Sequence, residues 1–109
     1  MNLDLGLMLE FSHHATQRAS QRGVTRNIMR IMVNQGEVIR KQGIKYYFMT
    51  HNTLRYFDLK TQDKLRNLVV LVKRKERGDI VITCYKDERA IKNIKHKQKR
   101  LARYTRWSA

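Results

Sequence analysis

His14, Arg18 and Arg22 recur at intervals of four in the stretch Ser12-His13-His14-Ala15-Thr16-Gln17-Arg18-Ala19-Ser20-Gln21-Arg22-Gly23. Four residues make one helical turn plus a small drift, so on a helix these three side chains form a single stripe. An imidazole carries protons near neutral pH, and a guanidinium offers a fixed fork of donors that matches phosphate oxygens. Histidine and two arginines along one face therefore suit phosphate handling. The same spacing also describes an ordinary solvated helix face, so the surroundings decide between the two.

The stretch carries its own helix signals. Ser12 is a good N-cap, and Gly23 readily takes the left-handed conformation that ends a helix. Ala15 and Ala19 form a neighbouring stripe of small residues that lets the helix lie close to its support. Ahead of it, Leu3, Leu5, Leu7, Leu9 and Phe11 alternate with other residues, which predicts a β-strand weakened at Gly6. Behind it, Thr25 caps a second helix of about ten residues whose apolar face holds Ile28, Met29, Ile31, Met32 and Val33, closing at Gly36.

The rest reads as sheet. Val38-Ile39 and Tyr46-Tyr47-Phe48-Met49 flank Lys41-Gln42-Gly43, a short hairpin loop with its glycine late. Thr53 to Phe57 suits either a strand or a short helix, and Lys60 to Asn67 reads as a polar connection. Leu68 to Val72 and Ile80 to Tyr85 form the clearest strand pair, joined by a charged loop over Lys73 to Asp79. Their nearly continuous Val, Ile and Leu content places them inside the sheet, buried on both faces. Cys84 on such a strand reads as a small buried hydrophobe. The expectation is an α+β fold: two N-terminal helices packed on an antiparallel sheet of about four to five strands. Residues 1–86 form this domain. Residues 87–109, with eight Lys and Arg against two acids, form a basic C-terminal helix or tail.

Charge points to the partner. The 109 residues contain 24 Lys and Arg against nine Asp and Glu, a formal net charge of +15. Such self-repulsion is tolerated when the partner is a polyanion, so nucleic acid leads, ahead of an acidic protein or an anionic membrane. A hydrophobic content of 41% argues for a folded domain rather than a disordered basic tail. A single cysteine excludes an internal disulfide and fits a reducing cytoplasm. No apolar run reaches membrane-spanning length and no signal-peptide pattern opens the chain, so a cytoplasmic protein with no membrane partner is expected. Arg26, Lys73, Arg74 and Lys75, with Lys95, Lys97, Lys99, Arg100 and Arg103 in the tail, are candidate nucleic-acid contacts.

The run His14-Ala15-x-x-Arg18-x-x-x-Arg22-Gly23-Val24, then Gly36-Glu37-Val38-Ile39, Tyr46-Tyr47-Phe48 and Ile80-Val81-Ile82-Thr83-Cys84-Tyr85, resembles a family of small bacterial proteins catalogued as a domain of unknown function (DUF4258). The resemblance covers about residues 10–86. It implies the fold of the RelE- and ParE-type toxins, shared with barnase, EndoU and colicin ribonucleases. It further implies a metal-independent endoribonuclease, typically a toxin restrained by an antitoxin. The partners implied are RNA, in some such toxins on the ribosome, and an acidic antitoxin. The fold also carries toxins that do not cut RNA.

Metal-independent RNA cleavage needs a base for the 2′-hydroxyl, cations for the phosphorane and an acid for the departing 5′-oxygen. The candidate catalytic set is His14 as base or acid, Arg18 and Arg22 on the phosphate, and Thr83 and Tyr85. The resemblance places the last two at the family's terminal Thr-x-Tyr positions. On a strand they share a face, though both are also good strand formers. The competing reading is a non-catalytic basic nucleic-acid-binding module on the same scaffold. His13 points about 100° away from His14 on a helix, and His51 and His96 suit solvated positions. No metal-ligand spacing and no cofactor motif stands out, so neither is expected.

Overall fold

Ser12 sets the geometry of the N-terminal half. In the computed structural model, which describes residues 9–89 and residue 92, its hydroxyl accepts from the Ala15 N–H at 3.0 Å and donates to the Ile82 carbonyl at 3.1 Å. The first bond starts helix α1 (His13–Gln21), and the second fixes that helix to the sheet. α1 ends as the sequence predicts. Gly23 lies at φ +66°, its N–H reaches Ser20 O, and the Val24 N–H reaches Ala19 O at 2.8 Å. This paired closure brings Val24 and Ala19 together, and both are buried. Thr25 then caps α2 (Arg26–Gln35) by accepting from the Ile28 N–H.

The other elements are β1 (Leu9–Phe11), β2 (Glu37–Lys41), β3 (Ile44–Phe48), α3 (His51–Leu54), α4 (Leu59–Leu65), β4 (Leu68–Lys75) and β5 (Gly78–Lys86). The strands form one sheet in the order β1-β5-β4-β3-β2. The fold is α+β, but the sheet is mixed, because β1 pairs parallel to β5 while the other neighbours are antiparallel. The parallel pairing follows from where α1 must start: the Ser12 N–H, just after β1, bonds Val81 O at 2.9 Å. β4 is central and β5 is interior, as their apolar content predicts.

The four described helices share one face of the sheet. Their buried residues Ala15, Ala19, Met29, Met32, Leu54 and Leu65 join Val70, Val72, Val81 and Cys84 in one cluster. Met29, Met32 and Leu65 are fully enclosed, each stabilising the fold by about 1.5–3 kcal/mol relative to exposure. A second cluster of Ile39, Phe48 and Val69, flanked by Tyr46, Leu71 and Tyr85, occupies the opposite face.

Several expectations are corrected. Lys60 to Asn67 is mostly helix α4, which presents one fully buried apolar residue, Leu65, and so carries almost no periodic signal. Of Thr53 to Phe57, left open between strand and short helix, Thr53 and Leu54 end the short helix α3, seated by Leu54, and Arg55 to Phe57 form a turn and bend. The charged loop is much shorter than Lys73 to Asp79. β4 runs on to Lys75 and β5 begins at Gly78, because charged side chains at a projecting hairpin tip remain solvated while the backbone ladder continues. Gly36 closes α2 without a positive φ. Its backbone is extended, and a Cβ there would stand 2.5 Å from Met32 O and 2.8 Å from Phe48 O. Of the predicted first strand, Leu9 to Phe11 is described. The basic helix or tail over 87–109 falls almost wholly outside the described residues.

Candidate nucleic-acid interface

α1 lies against β5, burying Ala15 and Ala19 beside Cys84 and Val81. The next stripe of the same helix holds the predicted residues: His14 is exposed, Arg18 half-buried and Arg22 exposed. Arg18 adjoins Ala19, which shares the buried cluster with Cys84, so the arginine stripe lies over the C-terminal half of β5. The thiol itself is pushed above its ordinary value chiefly by burial, with the two guanidiniums opposing. The Arg18 Nε is shielded from solvent without an acceptor among the described residues, and its Nη1 makes a long 3.5 Å bond to Gln21 Oε1.

Two more cations join them from other elements. The Lys64 ammonium, on α4, donates to Gly23 O at 3.1 Å, immediately beyond Arg22. The Lys86 ammonium, at the end of β5, donates to Asp63 O at 2.9 Å. Lys86 is held below its ordinary value by burial and by the charge of Lys64, partly offset by Asp63, with Arg66 adding to the depression. Crowded like charge contributes to this shift after burial. Arg66 is partly committed, since its Nη1 pairs with Asp63 Oδ1 at 3.4 Å. The C-terminal ends of α1 and β5 thus meet α4 in a junction of Arg18, Arg22, Lys64 and Lys86, with Arg66 at its margin.

The predicted catalytic five do not converge. Tyr85 packs with Tyr46 and Val69 in the second cluster, and Thr83 stands opposite Leu71 on that same face. Cys84, between them, faces α1. Thr83 and Tyr85 are therefore separated from His14, Arg18 and Arg22 by the thickness of the sheet. The Tyr85 phenol is raised above its ordinary value by burial first, then by Tyr46 and Asp87.

The predicted binding residues scatter too. The Arg26 guanidinium lies 5.5 Å from the Phe11 ring centroid, with Arg30 at 5.2 Å from the same ring. Lys75 donates to Glu10 at 2.6 Å, and Arg74 lines a cleft of about 340 Å³ beside Glu76 and the Lys45–Asp79 ion pair. Lys73 is exposed on β4. Lys75 and Lys86 are separated by most of the length of β4 and β5, roughly 23 Å. Lys95, Lys97, Lys99, Arg100 and Arg103 lie outside the described residues, as does His96. His13 and His51 are exposed. Among the described residues no three His, Cys, Asp or Glu side chains converge, and no helix is long and apolar enough to cross a membrane.

Sequence reasoning missed Lys64 and Lys86. Lys64 becomes visible once α4 is seen as a helix, and Lys86 once β5 is extended past Tyr85. Comparison of the chain with protein-family models, curated proteins and solved structures gives no match.

Proposed function

We propose that this chain binds the phosphodiester backbone of RNA through the junction of Arg18, Arg22, Lys64 and Lys86. The observation that carries this reading is the gathering of four cations from three elements around the end of β5, with Asp63 the acid that acts on Lys86. Holding like charges together costs free energy, and a nucleic-acid backbone offsets it, because these cations displace the counterions condensed on its phosphates. RNA is favoured over other polyanions by the resemblance to the DUF4258 family, which implies a RelE-type toxin and, with it, an acidic antitoxin as competitor for the same surface.

A second reading adds cleavage. His14 stands one turn before Arg18 on the same stripe, so a phosphate held by Arg18 lies near an imidazole able to move a proton. In that reading Arg18 and Arg22 stabilise the phosphorane and His14 serves as base or acid. Thr83 and Tyr85 take no part, because they face away.

One experiment separates the two. Labelled single-stranded RNA is incubated in EDTA with wild type, His14→Ala, Lys64→Gln/Lys86→Gln and Lys73→Gln/Lys75→Gln. The binding reading predicts that only the Lys64/Lys86 variant loses most of its affinity. The cleavage reading predicts, in addition, 2′,3′-cyclic phosphate ends from wild type and none from His14→Ala. Equal losses in both lysine pairs would mean that binding follows total charge and not this junction.

A further inference from the structure

β2 is an edge strand of the sheet among the described residues, and its sequence Glu37-Val38-Ile39-Arg40-Lys41 is complementary to itself when reversed. Its backbone pairing with β3 fixes which groups remain free. The hairpin turns at Gln42 and Gly43, both with positive φ, so Lys41 and Ile44 form the closing hydrogen-bonded pair. Alternation then makes Ile39–Tyr46 and Glu37–Phe48 hydrogen-bonded pairs as well. The N–H and C=O groups of Val38 and Arg40 consequently point outward, away from β3. Val38 is 40% exposed, and Glu37 and Arg40 are exposed beside it.

We propose that two copies of this chain pair antiparallel along β2, about a dyad at Ile39. In that register Val38 of each copy faces Arg40 of the other, and these are the residues whose backbone groups have no partner among the described residues. Each pair exchanges two N–H···O=C bonds, giving four across the dyad. Ile39 meets its own copy in a non-hydrogen-bonded pair, where side chains approach most closely, and extends the apolar cluster of Ile39, Phe48 and Val69 across the seam. Glu37 meets Lys41 of the second copy twice, by symmetry, so opposite charges stand directly across from each other. A shift of one residue in this register would place the free backbone groups opposite ones already bonded to β3. The pairing is thus specified by hydrogen-bond parity, by charge and by the apolar dyad residue together.

Five residues of edge bury less than a standard interface, and the net charge of +15 opposes association. The dimer is accordingly weak. It is best sought at about 0.15 M salt or above, where a Debye length of about 8 Å screens the net repulsion.

Sedimentation velocity on the full chain, at concentrations rising to about 1 mM, provides the test. Wild type should show concentration-dependent dimers. Glu37→Lys and Lys41→Glu should each be monomeric, since each places like charges across the dyad. Their equimolar mixture should dimerise again, because the first variant's edge then carries a cation at both ends and the second variant's a carboxylate at both ends. Val38→Pro removes an outward N–H without touching the β2–β3 ladder, and should be a folded monomer by near-ultraviolet circular dichroism. In wild type, exchange of the Val38 and Arg40 amides should slow as concentration rises, while β2 otherwise stays unchanged. Monomeric wild type throughout, undiminished association of the charge variants, or a mixture that fails to associate would each overturn the proposal.

Discussion

Ser12 and Ile82 are joined by a hydrogen bond from a side-chain hydroxyl to a backbone carbonyl 70 positions away. Ile82 is where the β4–β5 register jumps: Leu71 faces Thr83 while Val72 faces Val81, leaving Ile82 as the extra residue of a bulge. The same hydroxyl starts α1 by accepting from the Ala15 N–H. One serine therefore sets the helix that carries Arg18 and Arg22 against the strand that ends at Lys86.

Ser12→Ala should lower stability by about 1–2 kcal/mol, the usual range for a lost N-cap, and chemical denaturation measures it. Because Ser12 also holds α1 to the sheet, RNA affinity should fall with it. Ser12→Asp keeps the cap acceptor but lacks the donor to Ile82, so it should restore only part of the stability.

Gly36 and Gly43 should respond oppositely to their backbone angles. Gly36 has an ordinary extended φ, yet Gly36→Ala should destabilise by about 1–3 kcal/mol or more, because its Cβ meets two backbone carbonyls that cannot move aside. Gly43 has φ +79° and nothing within 4 Å of a Cβ. Gly43→Asn should therefore cost no more than about 1 kcal/mol, from backbone strain alone, since asparagine tolerates the left-handed region better than other side chains. Thermal melts of the two variants check the contrast.

Stability should decline as pH rises above about 9. Burial raises the Cys84 thiol above its ordinary 9.0 and the phenols of Tyr47 and Tyr85 above 10.0. Between the ordinary and the raised values the folded chain binds more protons than the unfolded chain, so its stability falls with pH there. Lys86 acts in the reverse sense below 10.5, because its folded value is lowered and deprotonation relieves the crowding. Cys84→Ala should remove the earliest part of the decline, moving its onset towards about pH 10; urea titrations from about pH 8 to about 11 read this directly.

Tyr85→Phe and Thr83→Val should leave RNA affinity within about two-fold of wild type, the scatter of substitutions away from a site. Both residues lie on the face opposite α1. Anisotropy titrations of the two variants decide it, and a loss as large as that of Lys64→Gln would move the site to the other face of the sheet.

The local signals were legible in the sequence. Ser12, Gly23 and Thr25 mark helix ends through their own chemistry, and the Gln42-Gly43 turn follows from glycine's tolerance of positive φ. What stayed hidden depends on long-range pairing. Alternation puts Thr83 and Tyr85 together, yet nothing local says that Cys84, and not they, meets Ala15 and Ala19. The parallel placement of β1 rests on contacts between Ser12 and Val81. α4 was hidden because Leu65 alone anchors it, and with α4 went Lys64. The stripe of Arg18 and Arg22 was readable, but its completion by Lys64 and Lys86 needed the fold.

The most direct test is the salt dependence of RNA binding by wild type and by Lys64→Gln/Lys86→Gln. On single strands each lost phosphate contact should reduce the slope of log affinity against log salt by about 0.7, so the double variant should be shallower by about 1.4. Lys73→Gln/Lys75→Gln, with the same change in net charge at the far end of β4, should keep the wild-type slope. Identical slopes for the two double variants would contradict a phosphate-binding junction at the end of β5.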